Sequence, residues 1–269
     1  MSEATIDKQR VAESFSRAAA TYDQAAAFQR SVGHNLLARL AIQLEARDIV
    51  DLGAGTGYFT RALSQRFAVP VAGLDLAEGM LRFARQSVDP QQHLLLDYPR
   101  WVVADAEALP LRPASQDLIF SSLALQWCPD LAQALAEARR VLRPGGCLAF
   151  NTLVDGTLYE LQRAWQTVDG FVHVNRFMPT TRLQELLGTA GFASWRCDVE
   201  PHVLRYSQLG DLTRELKALG AHNLNQGRPG GLTGRARLRA LTEAYEAFRQ
   251  PEGLPATYQV AQVLMFKES

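Results

Sequence analysis

The stretch VDLGAGTGYF at 50–59 sets glycine at positions 53, 55 and 57, directly behind a short apolar run. Glycine tolerates positive φ and lets backbone approach a guest closely, so this turn predicts a ligand seated where a strand hands over to a helix. The spacing departs from the dinucleotide fingerprint G-x-G-x-x-G, because Tyr58 stands where the third glycine would fall. Three carboxylates sharpen the chemistry. Asp51 sits just before the glycines, where it can accept hydrogen bonds from the loop or from a ligand ammonium. Asp75 closes the run VPVAGLD, where a carboxylate can accept two ribose hydroxyls, and Asp105 lies in VVADAEALP, near the place of an adenine edge. Three acids without a basic cluster suit a nucleoside lacking phosphates, since a pyrophosphate wants a clear helix N-terminus and usually a cation.

These residues need a sheet to bring them to one edge. Strands are predicted at 48–52, 69–75, 101–104, 117–122 and 147–153, with amphipathic helices at 58–67, 77–88 and 130–142. Alternating strands and helices with short links imply a parallel sheet covered on both faces, whose ligands lie beyond the carboxyl ends of the strands. RPGG at 143–146 reads as a helix-to-strand break. Residues 5–45 read as helix, broken near Tyr22. Helices follow at 157–169 and 180–190, then a strand around 192–204 and a last strand at 256–266. Residues 205–255 hold two helical stretches, 207–219 and 233–249, around NQGRPGGLTG; this insertion reads either as a lid or as an extra packed layer. The chain is read as one domain, with a helical cover at 1–45, a cofactor-binding half at 46–153 and a substrate-side half at 154–269.

Composition narrows the class. Of 269 residues, 47% are hydrophobic and 21% charged, and Lys plus Arg equals Asp plus Glu at 28 each. No overall basic field is offered to nucleic acid or to an anionic membrane. The opening MSEATIDKQRVAESF has no apolar core of a secretory signal, and no run is long enough to span a bilayer. Cys128, Cys147 and Cys197 are scattered without metal spacing and are odd in number, which argues against a disulfide framework and a metal site. A cytoplasmic protein is expected.

S-adenosylmethionine, with adenosine, a sulfonium and an amino acid tail, matches the ligand that the three acids describe. DLGAGTG, LDLAEGM, ADAEALP, DLIFSSLALQW and RVLRPGG, in this order, resemble the class I S-adenosylmethionine-dependent methyltransferases. The resemblance implies a Rossmann-like, mostly parallel seven-stranded α/β sheet with an N-terminal helical segment and a helical insertion before the last strand. On these motifs it implies cofactor contacts at Asp51, Gly53, Ala54, Gly55, Gly57, Asp75, Leu76, Met80, Asp105, Ala106 and Ser121.

Further segments narrow the likeness. KQRVAESFSRAAATYDQAA, SSLALQWCPD, FNTLVDGTLYEL, FVHVNRF, LKALGAHN, GGLTGR and GLPATYQV resemble the malonyl-acyl-carrier-protein O-methyltransferases of biotin synthesis. That resemblance implies methylation of the free carboxylate of a malonyl thioester, carried by acyl carrier protein through phosphopantetheine or by coenzyme A. Such a carboxylate is already ionised at neutral pH, so orientation and exclusion of water are needed rather than a general base. Tyr22 is expected to close over the methyl group, or else to pack on the core. Gln126 and Trp127 follow the fourth strand, where substrate meets cofactor. His173 and Arg176 are expected to hold the malonyl carboxylate or the thioester carbonyl. His34, His93, His202 and His222 belong to no catalytic motif.

Residues 205–239 hold Arg205, Arg214, Lys217, Arg228, Arg235, Arg237 and Arg239 against only Asp211 and Glu215. This local basic excess is expected to dock an acidic carrier, with Arg235, Arg237 and Arg239 as contacts, unless it is a solvated helix face. A quinone-type methyltransferase, a non-catalytic S-adenosylmethionine-binding module and a nicotinamide dehydrogenase stand as alternatives. Nucleic-acid methylation lacks both an NPPY-like segment and a basic field.

Overall fold

The apolar runs read above pair into one seven-stranded sheet in the order β3-β2-β1-β4-β5-β7-β6. The structure is a computed structural model that describes residues 6–40, 45–87, 100–221 and 234–269. Strands β1 (Ile49–Leu52), β2 (Val71–Asp75), β3 (Trp101–Val103), β4 (Gln116–Ser122) and β5 (Leu142–Leu153) run parallel. Strand β7 (Leu254–Phe266) lies antiparallel between β5 and β6 (Ser194–Tyr206). The inner strands are apolar on both faces, as a sheet covered on both sides requires, and Leu118, Ile119, Phe120, Leu148 and Phe150 are fully buried.

Helices α3 (Tyr58–Phe67), α4 (Glu78–Gln86) and α5 (Leu131–Val141) connect successive parallel strands, followed by α6 (Tyr159–Gln166) and α7 (Thr180–Thr189). The N-terminal helical stretch divides into α1 (Lys8–Ala25) and α2 (Ala27–Arg39). Its break lies at Ala26 rather than near Tyr22, so Tyr22 sits within α1. Asp7 caps α1 by accepting from the Gln9 and Arg10 amides.

RPGG does not precede the fifth strand as expected. Helix α5 stops at Val141 and β5 begins at Leu142, so the motif lies inside the strand. Gln116 pairs with Leu142 but Leu118 with Cys147, so the extra residues bulge out of the ladder, with Gly145 at φ 74°.

The insertion before β7 carries α8 (Leu209–Ala218) and α9 (Arg235–Glu246). Leu209, Leu212, Leu241 and Tyr245 are buried against Phe28, Val32, Leu158 and Leu161. Ser14 donates to the Gly220 carbonyl at 3.0 Å and Thr21 to the Ala218 carbonyl at 2.9 Å, tying the end of α8 to α1. The insertion is therefore a packed layer. Arg228, His222, His93 and the turn NQGRPGG lie outside the described residues. Among the described residues no helix is long and apolar enough to cross a membrane.

Candidate active site

The three glycines of the first strand-to-helix turn have different tasks. Gly53 has φ 79°, and a Cβ there would stand 2.1 Å from the Ala124 Cβ, so only glycine fits beneath that loop. Gly55 also has positive φ, but a Cβ there would meet nothing within 4 Å; its outward side is open to a guest. Gly57 lines no cleft: a Cβ there would strike Trp101 at 2.4 Å, so its role is to pack the start of α3.

A cleft of about 770 Å³ opens beyond this turn. Gly53, Gly55, Asp75, Leu76, Met80, Asp105 and Ala106 line it. Asp75 Oδ2 accepts from the Gly55 amide at 2.8 Å and Oδ1 from the Ala77 amide at 2.7 Å. Each carboxylate oxygen keeps a second lone pair, so two hydroxyls can still be received. Burial pushes the Asp75 carboxyl upward, opposed by these amides. Ser121 is not at the surface of the cleft. It is fully buried, with its hydroxyl donating to the Leu52 carbonyl at 2.7 Å, and its neighbour Ser122 lines the cleft instead. Successive residues of a strand face opposite sides, so an offset of one residue moves a site to the other face.

An adjoining pocket holds Asp51, Ala54, Thr56, Asp23, Gln29 and Arg30. Thr60 donates to Asp51 Oδ2 at 2.6 Å. Burial nevertheless pushes the Asp51 carboxyl up to about 7, and the nearby Asp75 charge adds to this. Thr56 donates to Asp23 at 2.7 Å, fastening α1 to the glycine turn. Asp51 and Arg30 both line this pocket, so it offers one group that could take an ammonium and one that could take a carboxylate.

Adjoining the cleft lies a chamber of about 720 Å³, walled by Phe28, Leu153, Leu158, Leu161, Phe177 and Tyr258, with α8 and its end supplying Leu216, Leu219 and Ala221. Phe15, Tyr22, Leu123 and Trp127 belong to both the cleft and the chamber. Trp127 meets Phe15 edge-on at 5.4 Å. Tyr22 alone among the lining residues borders the cleft, the tail pocket and the chamber. Burial, with Asp75 and Asp23 nearby, holds its phenol above the usual range, so it stays a neutral donor. Leu123 takes the left-handed conformation at φ 51°, with its amide donating to Asn151 Oδ1 at 2.8 Å. Asn151, itself buried and donating to the Val32 carbonyl, thus braces the seam.

Gln126 lines the chamber, with Nε2 donating to the Leu123 carbonyl at 2.8 Å. His173 lines it as well. Arg176 does not: it is exposed and lies outside the lining of both cavities. Arg235, Arg237 and Arg239 lie on α9, outside the chamber. Arg239 pairs with Glu243 at 2.9 Å, and Arg237 turns toward Asp169.

Sequence reading missed Lys8, Gln29, Arg30 and Asn151. Lys8 lines the cleft and bonds Asp105 and Glu107, each at 2.6 Å. Gln29 borders both the tail pocket and the chamber, and its Oε1 is buried without a partner. Asp105 and Glu107 could have pointed to a basic partner, but nothing local selects Lys8.

Known proteins match this architecture. A family model described as "Methyltransferase domain" matches residues 50–150. The YcgJ protein from Bacillus subtilis superposes with a TM-score of 0.60 at 18% identity, over 88% of this chain and 99% of that one; the likeness is one of fold. The biotin biosynthesis bifunctional protein BioHC of Cellvibrio japonicus is 50% identical over 97% of this chain, which spans 51% of that longer protein. The malonyl-[acyl-carrier protein] O-methyltransferase of Hahella chejuensis is 44% identical, over 95% of this chain and 89% of that protein. Identity of this order along nearly the whole of both chains, over a Rossmann-like seven-stranded sheet, places the chain in the malonyl-acyl-carrier-protein O-methyltransferase family.

Proposed function

We propose that the protein transfers the methyl group of S-adenosylmethionine to the free carboxylate of a malonyl thioester, on acyl carrier protein or coenzyme A. The product is the malonyl methyl ester that starts pimeloyl chain synthesis for biotin. The observation that carries this reading is the seam at Phe15, Tyr22, Leu123 and Trp127, where the cleft that holds Gly55, Asp75 and Asp105 meets a second, largely apolar chamber.

S-adenosylmethionine, when bound, supplies an electrophilic methyl group on a sulfonium. The chain's own groups fit its parts. Asp75 would receive the ribose hydroxyls and Asp105 the adenine amino group, with Leu76, Met80 and Ala106 against the adenosine. Asp51 and Arg30 would take the ammonium and carboxylate of the tail. Transfer requires oxygen, methyl and sulfur nearly in line, an arrangement that binding alone can enforce. Tyr22 stands at the crossing and offers a neutral hydroxyl, which orients an anionic oxygen while leaving it more nucleophilic than an arginine contact would. Trp127 and Phe15 wall the seam and keep water out. The acyl carboxylate is ionised near neutral pH without help, so no residue here needs to remove a proton.

Arg235 and Arg239, exposed on α9, with Arg205, Arg214 and Lys217 nearby in sequence, would receive an acidic carrier and lengthen its encounter. Incubation with methyl-labelled S-adenosylmethionine and a small malonyl thioester tests the reaction. Label should pass to the thioester and be released as methanol by mild alkali. Label that stays on the cofactor, or resists alkali, would overturn the reading.

A further inference from the structure

A chain of contacts runs from α9 to the wall of the acyl chamber. His173 lines the chamber, with Nε2 at 2.7 Å from Asp169 Oδ1 and its ring stacked on Trp165 at 3.5 Å and 10°. Asp169 Oδ1 also accepts from the Phe171 amide at 3.0 Å. Its other oxygen is buried without a hydrogen bond and faces Arg237 Nε at 3.9 Å. The Arg237 guanidinium covers the Phe171 ring at 5.8 Å. The Asp169 and His173 side chains are only 11% and 12% exposed, whereas Arg237 is 47% exposed. Burial alone would raise the Asp169 carboxyl, but the Phe171 amide, His173 and Arg237 together hold it below its usual range.

A carboxylate only accepts, so Nε2 is the donor to Asp169 and Nδ1 is the ring nitrogen left for a guest. His173 borders the chamber but not the cofactor cleft, so it meets a part of the guest remote from the methyl group. We propose that Asp169, braced by Arg237, is a positioning residue that fixes the His173 imidazole so that Nδ1, its acceptor nitrogen, takes an amide N–H from the pantetheine arm of the acyl substrate. The flat stack on Trp165 keeps the ring from turning away. Arg237 thereby clasps the loop that carries His173, a role distinct from that of its neighbours on α9. This inference rests on the proposed malonyl thioester reaction.

The test compares D169N, H173Q, their double variant, R237A and R237K in the full chain, with malonyl-pantetheine, a small thioester that carries the amide. D169N and H173Q should each raise the thioester KM roughly tenfold, with kcat and cofactor Kd close to wild type. The double variant should be no worse than the worse single, because both remove the same contact. R237A should raise the same KM, and R237K should restore most of it. Should D169N fail to fold, R237A carries the comparison, since its exposed side chain leaves no hole in the core. An unchanged KM in D169N or R237A, or single costs that multiply in the double variant, would overturn the positioning role. Absence of turnover in the wild-type protein would instead contradict the reaction itself.

Discussion

The Lys8 ammonium donates to Asp105 Oδ2 at 2.6 Å across 97 positions of sequence, and so fastens the first turn of α1 over the Asp105 end of the cleft. It also holds Glu107 Oε2 at 2.6 Å, and that carboxylate's other oxygen accepts from the Asp130 amide. Asp105 keeps lone pairs for a guest, so Lys8 closes the cleft without filling its acceptor. The pair is partly exposed, which limits its strength through solvent screening. K8M should therefore weaken S-adenosylmethionine binding by roughly three- to tenfold, through faster dissociation and more so at low salt. Stopped-flow binding at two ionic strengths measures this, and tighter binding by K8M would show that Lys8 competes with the ligand.

Gly79 provides an independent way to move the same cover. A Cβ there would lie 2.6 Å from the Ser16 Cβ and 2.9 Å from its Cα, too close for α1 to keep its place. The Gly79 amide also donates to Ser16 Oγ at 3.1 Å. G79A should displace α1 and raise the cofactor Kd by about tenfold or more, while the sheet unfolds as a unit with little change in denaturant m-value. Wild-type affinity in G79A would mean that α1 does not cover the cleft.

The ammonium-binding role proposed for Asp51 predicts that cofactor binding depends on pH. Burial sets its carboxyl at about 7 in the folded chain, against about 4 when unfolded. Between those values the folded state holds a proton that the unfolded state has lost, so this group's contribution to stability falls as pH rises from about 4 to about 7. A ligand ammonium favours the carboxylate. Binding should therefore release a proton near pH 7, and affinity should climb as pH rises through that region. Isothermal titration in two buffers of different ionisation enthalpy counts the proton. D51N should bind more weakly, release none, and melt a few degrees above wild type at about pH 8. Equal proton counts for both proteins would contradict this assignment.

Much of the cleft was legible because its chemistry is local. The glycine turn and the acids Asp75 and Asp105 follow apolar runs whose direction is fixed by alternation with helices, so they fall on one sheet edge. Ser121 shows the limit of that reading: the four-residue run Leu118–Ser121 is uniformly buried and carries no alternation to tell which serine faces out. The bulge at RPGG escaped for a related reason, since Pro and Gly mark a break in regular structure without saying whether it interrupts a strand or precedes one. Lys8, Gln29 and Arg30 reach the site through tertiary packing of α1 and α2, and Asn151 through the pairing of β5 with β4; spacing cannot show such contacts.

The carrier docking proposed for α9 can be separated from chemistry. Arg237 is committed to the Asp169 loop, so a reversal of all three arginines would confound docking with the chamber wall. Reversing only Arg235 and Arg239 to Glu should raise KM for the malonyl carrier protein by roughly tenfold at low salt, leave a small malonyl thioester unaffected, and lose its effect as salt is raised. Steady-state kinetics on both substrates decides it; equal losses on the two would contradict docking at this face.

The central claim is that the methyl group crosses the seam at Tyr22 onto a malonyl carboxylate. Mass spectrometry of malonyl carrier protein after incubation with enzyme and S-adenosylmethionine addresses it most directly. The acyl group should become heavier by one methylene unit, while acetyl carrier protein, which lacks the free carboxylate, should remain unchanged. A malonyl carrier that gains nothing, or an acetyl carrier that gains the same mass, would contradict the account.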